Sequence, residues 1–154
     1  MAEAPLVYWD SCVFLDRIPQ TPDRIEALRE LTDRAQAGGL RIATSAFTMC
    51  EVAKVKGVPL PEEQERLIVD FFDNPYIVLV QVDEFAARKT RELVRTHAGL
   101  KGRDAVHIAS ALLAGAPVLH TYDEKHLTPL NGVEGLRILI PGSEDSQLLL
   151  DGLT

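Results

Sequence analysis

The chain has 154 residues, 46% of them hydrophobic, which suffices for one domain over residues 1–154 with a core of its own. A formal net charge of −7 argues against a protein that coats nucleic acid non-specifically, since that affinity comes from Lys and Arg, but an acidic metal-dependent nuclease site is not excluded. No apolar run nears the roughly 20 residues of a membrane span, and no export signal is evident at the N-terminus. Cys12 and Cys50 lack metal-type spacing. We therefore expect a cytoplasmic protein with reduced thiols.

Short apolar segments bounded by turn or polar residues recur along the chain and have the composition of strands buried on both faces. They are residues 6–9, 41–45, 77–82, 117–121 and 137–140. Segments with helical periodicity separate them. This alternation predicts an α/β fold of the Rossmann-like kind, a three-layer α/β/α sandwich on a mostly parallel sheet of about five strands.

The helical segments carry recognisable start signals, which are N-cap residues, prolines at the first position or acids in the first turn. In chain order these signals are Thr21-Pro22-Asp23, Ser45, Pro61, Asp83 and Asp104. The second helix is expected to continue to about Lys56, and the last to end at Gly115. The apolar residues Leu148 to Leu150 of the tail fit either a terminal packing turn or a dimer contact.

The last of these helices poses a question, because a carboxylate begins a segment that is otherwise almost wholly apolar. From Ala105 to Gly115 only His107 and Ser110 are polar, which indicates a largely buried helix. One interpretation is that Asp104 interacts with the unpaired N–H groups and the macrodipole of the first turn. The other is that Asp104 belongs to a site.

The positions of other acids favour a site. Asp10 directly follows the first strand, Asp123 follows the fourth, and Asp104 opens a helix that starts beyond the same sheet edge. Glu51 lies in the helix after the second strand, from which a long side chain can reach that edge. Ligands of open parallel sheets bind at the carboxyl ends of the strands, so we expect these carboxylates to converge there.

Each acid also has a local interpretation, in which Asp10 caps a helix starting at Ser11, Asp123 is a turn residue and Glu51 is solvated. A gathered cluster needs a positive partner, since two like charges about 4 Å apart repel by about 4 kcal/mol at an effective dielectric of 20. Mg²⁺ or Mn²⁺ is the natural occupant, because both prefer carboxylate and water oxygens and both bridge to phosphates. The cluster therefore predicts metal-assisted phosphodiester hydrolysis.

Three stretches together resemble the PIN domain, the nuclease module of VapC-type toxins. They are VYWDS, TSAFTMCEVAK and GRDAVHIASALLAGAPVLHTYDEKHL, within a similarity that runs from about Pro5 to Ile140. The resemblance implies a PIN-like fold in which the metal-binding acids are Asp10, Glu51, Asp104 and Asp123. It also implies that hydroxyls of Ser11 and Thr121 support those acids.

The same resemblance implies a Mg²⁺- or Mn²⁺-dependent endoribonuclease that forms a homodimer and is often blocked by an antitoxin. Two positions depart from the family pattern. Many members have Asp-Phe where this chain has His126-Leu127, and the position of Cys12 is often small or polar in relatives. Neither departure removes one of the four acids, but both leave open whether one or two ions bind.

Basic residues near the acids are candidates for RNA contacts, although each also fits a solvated surface charge. Lys101 and Arg103, just before Asp104, are the first choices, ahead of Lys54, Lys56 and Lys125. His107, one turn after Asp104, is expected to be a buried histidine bonded to the backbone, with a role in the site as the second interpretation.

Other functions were weighed against the nuclease. A phosphohydrolase of the HAD type needs a second Asp where this chain has Cys12. A phospho-receiver domain needs its acceptor Asp at the end of the third strand, where only Asp83 is available. A catalytically idle PIN-like module that binds RNA or protein is the remaining alternative, and retention of all four acids disfavours it.

Overall fold

The computed structural model describes residues 3–17 and 22–153, so the expected cap at Thr21 lies outside the described residues. The strands are β1 (Leu6–Trp9), β2 (Arg41–Ser45), β3 (Lys54–Val55), β4 (Val58–Pro59), β5 (Ile77–Val80), β6 (Val118–His120) and β7 (Arg137–Leu139). The α-helices are α1 (Ser11–Arg17), α2 (Pro22–Gln36), α3 (Ala46–Glu51), α4 (Glu62–Phe72), α5 (Glu84–Thr96), α6 (Gly102–Ala114) and α7 (Glu144–Gly152).

The central sheet has five strands in the order β5-β2-β1-β6-β7, and every neighbouring pair is parallel. All five carboxyl ends therefore lie at one edge. Tyr8 of β1 stands between Ala43 of β2 and Leu119 of β6, which places β1 at the centre of the sheet. The predicted five-stranded parallel sheet is confirmed.

Side chains of β1 alternate between two cores on opposite faces of the sheet, as the pleat requires. Val7 and Trp9 pack with buried residues of α1, α2, α4 and α7. Leu6 and Tyr8 pack with buried residues of α5 and α6. Helices thus cover both faces, so the three-layer α/β/α architecture is confirmed. No helix within the described ranges has the length and apolar character to cross a membrane.

The second predicted helix is wrong in its extent. It ends at Glu51 rather than near Lys56, and β3 and β4 form an antiparallel hairpin after it. The two residues of the hairpin turn, Lys56 and Gly57, have φ values of 50° and 78°. A two-residue turn with positive φ at both positions matches the twist of a hairpin, and Gly57 adopts it without steric cost.

The C-terminal segment, left open in the sequence, forms α7 and packs against the body of the domain. Ser143 caps this helix by accepting the N–H of Ser146. Leu150 is buried in the core beside α2, whereas Leu148 is 66% exposed. The tail is therefore a packing element, and Leu148 remains on its outer face.

Candidate active site

Asp10 lies at the carboxyl end of β1 and is 97% buried, with a relative exposure of 3%. Its Oδ1 accepts the backbone N–H groups of Cys12 (3.1 Å) and Val13 (3.4 Å), so Asp10 caps α1. Its own N–H donates to the carbonyl of His120 in the neighbouring strand β6 (3.3 Å). The capping interpretation of Asp10 is thus correct, and the cap fixes the carboxylate at the edge of the sheet.

Burial makes the charge of Asp10 costly. Desolvation raises the pKa of Asp10 above its ordinary value, although the electrostatic interaction with His107 and hydrogen bonds from Cys12, Thr121 and Val13 oppose the rise. A cation beside Asp10 would relieve the same cost. This buried carboxylate is the feature of the site that most strongly favours a positive ligand.

Cys12, noted in the sequence only as a departure from the family, contacts the acid directly. Its Sγ donates to Asp10 Oδ1 (2.8 Å) and lies 3.4 Å from Thr121 Oγ1, while Tyr122 donates its N–H to the sulfur (3.2 Å). Burial, followed by the negative charge of Asp10, raises the pKa of the Cys12 thiol. The thiol therefore stays protonated and available as a donor, a role that its place two residues after Asp10 could have indicated.

Thr121 and Asp123 follow β6, which is paired directly with β1. Thr121 Oγ1 accepts the N–H of Asp123 (3.0 Å), and Asp123 Oδ1 accepts the N–H groups of Lys125 (3.2 Å) and His126 (2.9 Å). Asp123 Oδ2 lies 3.2 Å from His126 Nδ1. The turn interpretation of Asp123 holds, and the turn presents its carboxylate at the same sheet edge as Asp10. The hydroxyl of Thr121 thus lies between the Cys12 thiol, which contacts Asp10, and the backbone N–H of Asp123.

Glu51 and His107 form a pair that the sequence did not predict. His107 Nε2 lies 2.6 Å from Glu51 Oε1, and His107 Nδ1 lies 2.8 Å from the hydroxyl of Tyr8. The expectation that His107 bonds to the backbone is wrong, because both ring nitrogens meet side chains. The solvated interpretation of Glu51 is wrong as well, since its side chain is only 25% exposed and is paired with a buried histidine.

Asp104 occupies the first turn of α6, whose N-cap residue, Lys101, makes no side-chain cap hydrogen bond. Asp104 is half-buried, and in the part of the chain that the structure describes its carboxylate has no hydrogen-bonding or ion-pair partner. Lys101 and Arg103 beside it are exposed. The start of α6 thus offers one available carboxylate directly preceded by two exposed cations.

The four acids accordingly lie on segments that leave the sheet or begin a helix near its carboxyl edge. In residues 3–17 and 22–153, however, no three His, Cys, Asp or Glu side chains form a group that could hold a metal ion. Repulsion between carboxylates favours separation in the protein alone. The chemistry of the donors, which are hard carboxylate oxygens around a buried acid, nevertheless suits Mg²⁺ or Mn²⁺.

The sequence profile of the PIN domain matches residues 7–128, a stretch that contains all four acids. The chain belongs to the PIN domain family. No curated protein shows a significant sequence match to it. The PIN fold itself recurs in solved structures of low sequence identity, which support the architecture described above.

Among those structures is "VapBC2 from Rickettsia felis bound to a DNA fragment from their promoter", with a TM-score of 0.61 and 16% identity over 88% of this chain and 98% of the other. A "Toxin-antitoxin complex from Klebsiella pneumoniae" gives a TM-score of 0.63 and 21% identity over 88% and 97% of the two chains. "FitAcB from Neisseria gonorrhoeae" gives a TM-score of 0.55 and 15% sequence identity over 88% of this chain and 97% of the other.

Proposed function

We propose that this PIN domain is a metal-dependent endoribonuclease that hydrolyses RNA phosphodiester bonds and acts as the toxin of a type II toxin–antitoxin pair. The observation that carries the proposal is the buried carboxylate of Asp10, held at the sheet edge by α1 and made costly by desolvation. A divalent cation offsets that cost, and membership of the PIN domain family supports a nuclease activity.

Asp10, Asp104 and Asp123 are the proposed ligands of Mg²⁺ or Mn²⁺, and Glu51 completes the ligand set or orients the attacking water. When bound, the ion would supply positive charge to the phosphoryl oxygens and to the water that attacks the phosphorus. The hydroxyl oxygen of Thr121 positions Asp123 by accepting the backbone N–H of Asp123. Ser11 follows Asp10 at the first position of α1, where its proposed role is to support that acid.

The exposed cations at the start of α6 are the proposed contacts to substrate. Lys101 and Arg103 both precede Asp104 by three residues or fewer and are exposed, so a phosphate that approaches this carboxylate comes close to two positive charges. In a chain of net charge −7 such local cations offset the general repulsion of RNA.

Two protein partners belong to the proposal. An antitoxin is supported by the descriptions of the similar structures, one of which is a toxin–antitoxin complex. A second copy of the chain is supported by exposed apolar side chains on and just before α5, since Val82 and Val94 line a groove of about 400 Å³ with Val106 of α6, and Phe85 is 70% exposed. Light scattering of the purified protein measures the oligomeric state.

The test of the proposed chemistry is cleavage of bulk RNA with Mg²⁺ or Mn²⁺ and with EDTA. Asp10→Asn keeps the acceptor for the α1 cap and removes a charge whose burial is costly, so we expect a melting temperature no lower than that of the unmodified protein and a loss of cleavage of about 100-fold or more. Asp83→Asn is the matched control, because Asp83 also caps a helix by accepting a backbone N–H, that of Ala86 (3.0 Å).

The control variant should cleave as the unmodified protein does. Cleavage that persists in EDTA, or that Asp10→Asn leaves intact, would contradict the proposal. A folded protein that cleaves no RNA with either ion would instead indicate the idle RNA- or protein-binding module.

A further inference from the structure

Tyr8, His107 and Glu51 form a continuous hydrogen-bonded chain from the centre of the sheet to the candidate site, here called the Tyr8 relay. Tyr8 lies on the central strand β1 and is fully buried. His107 on α6 is 2% exposed, and Glu51 ends the short helix α3. The two links measure 2.8 Å and 2.6 Å, so both are short hydrogen bonds.

The chemistry of the acceptor gives the relay a direction. A carboxylate accepts hydrogen bonds and donates none, so the hydrogen of the Glu51 contact is on His107 Nε2. In a neutral ring Nδ1 is then the acceptor, and the Tyr8 hydroxyl donates to it. A Tyr8 hydroxyl that donates to Nδ1 therefore supports the ring form whose Nε2–H holds Glu51.

The ring of His107 is fixed by packing as well as by its hydrogen bonds. Tyr8 meets it edge-on with ring centroids 5.9 Å apart, and Phe47 of α3 lies 6.0 Å away. Glu51 has less support of its own, because α3 has six residues and passes at once into the exposed β3–β4 hairpin. A free Glu side chain also loses rotamer entropy when it is ordered.

We infer that Tyr8 and His107 are positioning residues, which hold the Glu51 carboxylate ready for its task through the Tyr8 relay. The inference rests on the proposed function, in which Glu51 belongs to the active site. It extends that function to two residues outside the four acids, one of which the structure places in the middle of the sheet.

The variant that tests the relay is Tyr8→Phe, which removes one hydroxyl and keeps the ring in the core. Partners behind metal ligands usually contribute about 10–100-fold to affinity or activity, and we expect a loss of about 10-fold in single-turnover RNA cleavage. Ser146→Ala is the matched control, since it also removes a buried hydroxyl bonded to a buried histidine, His120 (2.6 Å), on the other face of the sheet. It should cleave normally.

A Glu51→Ala background separates positioning from general structural damage. If Tyr8 acts through Glu51, Tyr8→Phe has no further effect once Glu51 is gone, so the two losses are not additive. His107→Gln, which keeps an N–H donor, should restore part of the activity that His107→Leu loses. Additive losses, or an equal loss in Ser146→Ala, would overturn the inference.

A readout on the metal-free protein is independent of nuclease activity. In ¹⁵N-histidine NMR spectra we expect a hydrogen on His107 Nε2 that exchanges slowly with solvent, and that exchanges faster in Tyr8→Phe and in Glu51→Ala. If the unmodified protein cleaves no RNA, the proposed function fails while this signal still supports the relay. An unprotonated or freely exchanging Nε2 overturns the relay even in an active enzyme.

Discussion

At the scale of single residues, Asp10 combines two tasks that appeared as alternatives in the sequence. The Oδ1 atom that accepts two N–H groups of α1 also accepts the Cys12 thiol, so a structural cap orients a buried charge. Capping residues are common and carry no function by themselves. What distinguishes Asp10 from Asp83, which caps α5 at the exposed surface, is burial at the edge of the sheet.

The buried histidine His120 supports a prediction on acid sensitivity. Desolvation lowers its pKa from 6.5 to about 3, so the folded protein holds His120 neutral while the unfolded chain binds a proton below about pH 6.5. Stability is therefore full above pH 6.5 and falls as the pH drops towards 3. Between pH 7.5 and 5 the protonation of His120 in the unfolded chain lowers the free energy of unfolding by about 2 kcal/mol.

Urea unfolding at both pH values measures that loss. His120→Gln should show a smaller decrease in the free energy of unfolding than the unmodified protein, whereas His97→Gln, at the partly exposed end of α5, should show the same decrease. An unaltered pH dependence in His120→Gln would disprove the assignment.

The side-chain contacts of the site show where prediction from sequence ends. Asp10, Asp104 and Asp123 could be proposed from the sequence because each lies just after a strand or opens a helix, and such positions are local features of the sequence. Glu51 and His107 are 56 positions apart, and their contact depends on how α3 packs against α6. The donor role of Cys12 depends likewise on the turn of α1 over Asp10.

At the scale of elements, capping signals predicted most helix ends, and short apolar runs predicted the positions of the five strands of the central sheet. Asp83 starts α5 and Gly115 ends α6 with a φ of 71°, both as expected. The β3–β4 hairpin was missed because its strands have two residues each, which is too short for an alternating pattern. Residues 54–59 are too few for either a helical or a strand periodicity to be recognised, so the sequence pattern does not distinguish a helix from a hairpin there.

Gly142 gives a test of how the last elements pack. It has a φ of 77°, and a Cβ added there would lie 2.5 Å from the Cβ of Ala27 in α2. Gly115 has a similar φ of 71° but open space around it. Both Ala variants incur the backbone strain, about 1 kcal/mol, but only Gly142→Ala adds overpacking of about 1–3 kcal/mol.

Thermal or urea unfolding of the two variants checks this difference. Gly142→Ala should be clearly less stable than Gly115→Ala, and both less stable than the unmodified protein. Equal stabilities would mean that the segment before α7 does not approach α2 closely.

At the scale of the whole molecule, the sheet order places β1 and β6 side by side and so brings the segments of Asp10 and Asp123 to one edge. The sequence predicted the layers because parallel strands and crossover helices have few ways to pack. The sequence did not predict the final arrangement of the acids, because the spacing of apolar residues carries no information on side-chain orientation at the edge of the sheet.

The charge distribution of the molecule leads to a prediction on RNA binding. In an Asp10→Asn background, which prevents cleavage, replacing Lys101 and Arg103 by Gln should weaken RNA binding and lower the slope of log K against log salt by up to about 0.7 for each lost phosphate contact. Arg66→Gln is the control, because Arg66 is paired with Glu62 on α4 (2.6 Å). An unchanged slope in the double variant would exclude these contacts.

The most direct measurement is an anomalous difference map from crystals of the protein grown with Mn²⁺. The account predicts a peak at ordinary coordination distance, about 2.0–2.2 Å, from an oxygen of Asp10 and from at least one of Asp104 and Asp123. A peak elsewhere, or none at a Mn²⁺ concentration that supports RNA cleavage, would contradict the proposal that these carboxylates share the catalytic ion.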